Sequence, residues 1–123
     1  MFKSIVKIGL TIIILIIITF FLWNNFGLFS KYNYLTARQD IHNGDIRIIS
    51  YGFQLLDVNP ISKKYGFRID DIGCSASKQE INGIKYYNST VKNYISEKNG
   101  KTWEDKYEKE VDTLFKYVFG ETK

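Results

Sequence analysis

Of the side chains in this 123-residue chain that could do chemistry, Cys74 is the sharpest candidate. It follows Gly73 at the end of an apolar run and stands three residues before Ser77-Lys78-Gln79-Glu80, the spacing of a helix capping box. Open α/β sheets place ligand sites at the carboxyl ends of strands, and a helix start lowers a thiol pKa, so this turn suits a thiol nucleophile or a small ligand. A lone cysteine is also one of the residues most often buried as plain packing. With one histidine and no second cysteine, the expectation is a buried spacer, and catalysis by Cys74 is the alternative.

The remaining candidates have structural explanations. Asp70 and Asp71 are adjacent carboxylates, but neighbours in a strand point to opposite faces, so they cannot share a ligand and are expected to form a solvated strand end. His42, beside Asn43-Gly44, suits the last carbonyls of a short helix. Lys63-Lys64 is read as an exposed pair on a short helix. Asn88-Ser89-Thr90 matches a glycosylation acceptor but falls inside a helix, where Asn88 is expected to be a buried amide with partners. No stretch carries a metal or nucleotide signature, and neither a metal nor a cofactor is expected.

The element that positions everything else is Ile8 to Trp23, sixteen residues without a charge. At ~1.5 Å per residue they cover ~24 Å, and Ile5 and Val6 extend the run toward the ~30 Å of a hydrocarbon core. Lys7 can carry its ammonium to the headgroups along its own stem, and Trp23 suits the opposite interface. A lone segment in lipid can satisfy its backbone only as a helix, however many of its residues are isoleucine. A cleaved signal would need small residues after the run. Leu28-Phe29-Ser30 is the best imitation, so an uncleaved anchor spanning residues 5–23 is expected. The short basic N-terminus favours a cytoplasmic start and a C-terminal domain outside the cytoplasmic membrane.

Three regions follow: an anchor over residues 1–24, a membrane-proximal linker over 25–33, and one small domain over 34–123. The formal net charge of +4 falls by two once Lys3 and Lys7 are assigned to the anchor, so no nucleic-acid partner is implied. The expected partners are the bilayer and an envelope protein, with Tyr32, Tyr34 and Tyr86 as exposed aromatics for a contact surface.

The fold class read from the pattern is α+β. Thr36-Ala37-Arg38-Gln39 opens a two-turn helix that Asn43-Gly44 stops. Asp45 to Gly52 and Phe67 to Cys74 read as strands, and the connection between them holds a short helix begun by Asp57-Val58-Asn59-Pro60. That connection is long enough for a crossover, so parallel pairing is expected. Ser77 caps the longest helix of the domain, whose stripe is Ile81, Ile84, Val91 and Ile95. Thr102 caps the last helix, and the two are expected to form a hairpin with Leu114 in its seam.

Tyr51-Gly52-Phe53, Lys63-Lys64-Tyr65-Gly66-Phe67, Gly73-Cys74, Tyr87-Asn88 and Asn99-Gly100-Lys101-Thr102-Trp103 together resemble the small bacterial proteins that carry a FEKKY domain. The resemblance spans Asp45 to Phe115. Where the family name reads Phe-Glu-Lys-Lys-Tyr, this chain has Ile61-Ser62-Lys63-Lys64-Tyr65. The family has no established activity, so the resemblance implies a bacterial envelope protein and no catalytic residues. The function expected is an interaction or structural module, more so than an enzyme.

Overall fold

A computed structural model of the chain describes residues 1–120 and has the α+β architecture expected. Helix α1 (Phe2–Phe26) leads into α2 (Tyr34–His42) and strand β1 (Arg47–Ser50). A short helix α3 (Asn59–Ser62) with a 3-10 turn (Lys63–Tyr65) crosses to β2 (Arg68–Asp71), and α4 (Lys78–Asn99) and α5 (Trp103–Phe119) complete the chain. The two strands are parallel, with Arg47 opposite Arg68 and Ile49 opposite Asp70.

Helix α1 is 25 residues long, about 37 Å, and continues past the expected anchor boundary at Asn24 through Asn25 and Phe26. It ends where Gly27 turns left-handed at φ 59° and donates its N–H to the Trp23 carbonyl. Its apolar side chains are exposed along its length, and it is long and apolar enough to cross a membrane.

A two-stranded sheet leaves both edges unpaired, and each edge here is closed by an asparagine side chain. Asn88 on α4 accepts from the Ile49 N–H and donates to the Ile49 carbonyl, both at 2.8 Å. Asn59 does the same for Ile69 on β2, at 2.8 Å and 3.4 Å. A primary amide carries the same donor and acceptor as a peptide group, so each side chain replaces one residue of a missing strand. Asn88 is therefore the partnered amide the sequence suggested.

The core gathers Ile49, Phe67, Ile84, Tyr87, Val91, Ile95 and Trp103, with Ala37 and Tyr32 from the other side of α4. The Ser77 box forms as expected: the Ser77 hydroxyl accepts from Glu80 N at 3.2 Å, and Glu80 accepts from Ser77 N at 2.7 Å.

Three expectations are corrected. The first domain helix starts a turn earlier, at Asn33, whose carboxamide oxygen accepts from Leu35 N and Thr36 N, while Thr36 fills the third position of the box. Asn33 wins because its NH2 also ties down the Leu28 and Ser30 carbonyls, which Thr36 has no means to reach. Thr102 stands at the start of α5 but its hydroxyl caps nothing. Leu114 does not lie in an α4–α5 seam. Helix α5 meets α4 through Trp103, whose indole N–H donates to the Ser96 hydroxyl at 2.8 Å, and through the Lys92–Glu104 ion pair. It then crosses α3 and the 3-10 turn, where Leu114 lines a cleft with Ile61. The cause is the aromatic cluster of Tyr65, Phe67, Trp103 and Tyr107, which draws α5 toward β2.

Candidate functional site

Cys74 is exposed, not the buried spacer expected. Gly73 is left-handed at φ 79° and its N–H donates to Asp71 Oδ1 at 2.6 Å, so the chain turns outward after β2 and carries the thiol into solvent. The helix start beyond it is closed. Ser77 and Glu80 occupy each other's backbone groups, and the Ser77 N–H holds the Glu80 carboxyl below its ordinary range. A carboxylate at that position repels a thiolate or an anionic ligand. The neighbouring cleft, about 200 Å3, is lined by Ser75 and Glu80 and not by Cys74. His42 is exposed in the last turn of α2, where the sequence placed it.

Asp70 and Asp71 part ways as strand alternation requires, but Asp70 is not merely solvated. It belongs to a charged cluster centred on Arg47. Arg47 Nη2 lies 2.9 Å from Asp40 Oδ2 and 3.1 Å from Asp45 Oδ2, and Nη1 lies 3.2 Å from Asp70 Oδ2. Arg68 binds the second oxygens of Asp45 and Asp70 at 2.9 Å and 3.0 Å. From α4, the fully buried Tyr87 donates its hydroxyl to Asp40 Oδ2 at 2.6 Å. Its ring is edge-on to Tyr32, over which the Arg47 guanidinium also sits.

Burial and then the hydrogen bond to Asp40 push the Tyr87 hydroxyl well above its usual pKa. Burial alone would lower the Arg47 pKa, but hydrogen bonds with Tyr87, Asp70 and Asp40 overcome it and the net shift is upward. For Asp70 burial raises the pKa, and the bonds from Arg68 and Arg47 outweigh it, leaving the carboxyl below its ordinary range. Asp45 and Asp70 each have both oxygens on arginines. The cluster thus ties α2, β1, β2 and α4 together and leaves no carboxylate pair for acid–base work.

The sequence does carry a signal for this cluster. Arg47 and Ile49 share one face of β1, so a buried Ile49 draws Arg47 inward, and a charge drawn inward requires partners. Among the described residues no group of three or more His, Cys, Asp and Glu is placed to hold a metal ion.

The second feature absent from the sequence reading is the joint between α1 and the domain. Residues 25–33 do not hang free. Gly27 and Gly83 pack backbone to backbone: a Cβ on Gly27 would lie 2.4 Å from the Gln79 carbonyl, and one on Gly83 would lie 2.2 Å from the Tyr32 carbonyl. Around them Gln79 donates to the Asn24 side chain at 3.1 Å, Asn82 donates to the Asn24 carbonyl at 2.9 Å, and Phe26 stacks on Tyr86. Tyr86 is exposed as expected, with the Phe26 ring beside it, whereas Tyr32, expected with it as a contact aromatic, is buried against Tyr87.

No protein-family model matches the chain, and no curated protein or solved structure is significantly similar to it. The molecule's own geometry therefore carries the functional argument.

Proposed function

We propose that the chain is a single-pass membrane protein of the bacterial envelope whose domain is a non-catalytic interaction or structural module. The supporting observation is the α1–α4 joint. Two glycines whose Cβ positions are filled by backbone, with two amide hydrogen bonds beside them, fix the domain relative to its anchor. A tethered enzyme that searches for substrate gains from a loose linker, whereas a module that presents one face at one height gains from a fixed joint. Kinship with FEKKY-domain proteins belongs to the same proposal. In its support, Lys64 and Tyr65 act together: they bind the two oxygens of Glu110 at 2.7 Å and 2.8 Å and clamp α5 to the 3-10 turn.

The orientation proposed is a cytoplasmic N-terminus in the cytoplasmic membrane with the domain outside. Alkaline phosphatase fused after Lys123 is then active and GFP fused there is dark. The fixed joint is tested by spin labels at Thr19→Cys and Lys98→Cys in a Cys74→Ser background. One narrow distance distribution is expected, and a broad one would sink the module reading. The exposure of Cys74 favours a second reading, a thiol-dependent activity. An alkylation rate that titrates well below the ~8.5 of a free cysteine would favour that reading, and an ordinary thiol profile would exclude it.

A further inference from the structure

The domain has two chemically different ends. Parallel strands end on the same side: the Ile72 N–H donates to the Ser50 carbonyl and the Gly52 N–H to the Gly73 carbonyl, at 3.0 Å and 2.9 Å. The chain after β2 leads directly into the start of α4, so the first half of α4 lies at that end too. All the contacts that hold α1 fall in this half, at Gln79, Asn82, Gly83 and Tyr86. The cleft shared by Ser30, Lys31, Ile72 and Ser75 shows the segment after α1 and the end of β2 side by side. The strand ends and the exit of the apolar helix therefore occupy one end of the domain.

At that end the loop after β1 exposes Phe53 at 83% and Leu55 at 61%, with Tyr51 half out. Residues 51–56 carry no charge, and Cys74-Ser75-Ala76 beside them carry none either. The opposite end, where Asn99 binds the Tyr65 carbonyl, presents Lys63, Lys98 and Lys101, with Lys64 paired to Glu110. An apolar loop beside the root of the anchor and a lysine-rich end away from it form the asymmetry of a body resting on lipid.

We infer that residues 51–56 are a second membrane contact, with Phe53 and Leu55 seated in the interfacial layer of the bilayer that α1 crosses. This rests on the reading of α1 as an anchor. Lys31 and Lys78, near the same end, meet the headgroups. The anchor and the loop together hold the domain at two points.

The test uses the full chain with Cys74→Ser in phosphatidylcholine vesicles, with a nitroxide at Gln54→Cys so that Phe53 and Leu55 stay in place. Reference labels stand at Lys101→Cys in the far turn and at Ile14→Cys in the anchor. The ratio of oxygen to nickel-chelate collisions at position 54 is expected to exceed that at 101 several-fold, and to collapse to it when Phe53→Glu and Leu55→Glu are added. Equal ratios at 54 and 101, with position 14 in hydrocarbon, would overturn the loop contact and leave the anchor standing. An aqueous ratio at position 14 would overturn the anchor and the loop contact together.

Discussion

Helix α4 holds two neighbours in opposite ways. Its first half grips α1 along a line, backbone against backbone at Gly27 and Gly83, with uncharged amides on either side. Its second half holds α5 by one large buried side chain, Trp103, bonded to Ser96, with the half-exposed Lys92–Glu104 ion pair beside it. A line contact built from backbone has no rotamer to give and fixes an angle. A contact through one indole fixes a point, and the rest of α5 must find support elsewhere. It does so through the Tyr65 and Tyr107 rings and the Glu110 clamp, after which Phe115, Val118 and Phe119 stand exposed.

The largest expected effect is at the point contact. Trp103→Ala removes a fully packed aromatic and the bond to Ser96, at a cost of about 3 to 5 kcal/mol, a large part of what a small domain has. Thermal unfolding followed by circular dichroism in detergent measures it. A loss under 1 kcal/mol would mean that α5 is held by something other than Trp103.

Gly83→Val tests the line contact. In an exposed helix, replacing glycine lowers the entropic cost of the helix by up to ~1 kcal/mol. Here the added Cβ meets a backbone carbonyl at 2.2 Å, which cannot step aside as a side chain could. Overpacking of about 1 to 3 kcal/mol therefore wins. The expected outcome is a lower melting temperature with new protease cleavage between residues 27 and 33. Stabilisation would show that α1 and α4 separate easily.

Acid distinguishes the two joints without a mutation. The α1 joint consists of Asn, Gln and Gly with the Phe26 and Tyr86 rings beside them, and holds no carboxylate for acid to neutralise. The α5 clamp depends on Glu110, whose carboxyl is held below its ordinary range by the Lys64 ammonium and then the Tyr65 hydroxyl. A lowered folded pKa means that the clamp is intact above the unfolded glutamate value of ~4.3 and is lost as pH falls through the lower folded one. Hydrogen-exchange protection in α5 is expected to drop below about pH 4 while that of residues 82–86, past the Ser77–Glu80 box that acid also loosens, holds. Equal losses would remove the distinction.

The sequence announced what depends on local pattern. The apolar run, the parallel crossover and the Ser77-Glu80 box follow from periodicity, connection length and capping chemistry, and each is present. What it hid depends on tertiary partners. Gly83 looks like a weak point inside a helix until Gly27 is placed against it. Asn59 looks like a helix cap before a proline until its amide is found closing the edge of β2, with Val58 at the cap position. Leu114 continues the apolar stripe of α5, yet the stripe meets α3 because an aromatic cluster near β2 sets the crossing direction. Cys74 was misplaced for the same reason: alternation assigns a face, but the left-handed turn at Gly73 had already ended the strand.

A smaller effect is expected at the capping box. Ser77→Ala removes the side-chain acceptor for Glu80 N and frees Glu80 from its reciprocal bond, at a cost of about 0.5 to 2 kcal/mol. Because this box lies beside the α1 joint, the loss should appear as fraying of the first turn of α4 without release of α1. Protease sensitivity confined to residues 74–78 is the expected sign, and cleavage at residues 27–33 would show that the joint depends on the cap.

The smallest effect belongs to the far half of α5. Phe119 is exposed and stacks on Phe115, its neighbour one turn back on the same helix. Such an i, i+4 pair contributes about 0.2 to 0.5 kcal/mol to a helix. Phe119→Ser removes that contact and costs a few tenths more in helix propensity, so the midpoint should shift by less than about 1 kcal/mol. Leu114→Ala, one turn closer to the body, is half-buried against Ile61 and should cost about 1 kcal/mol, since only part of the burial of a full leucine is lost. The ranking Trp103, Leu114, Phe119 along one helix is the signature of attachment at a point. If Phe119→Ser destabilised the full chain as much as Leu114→Ala does, the far half of α5 would be packed in solution against a surface that the isolated chain leaves open.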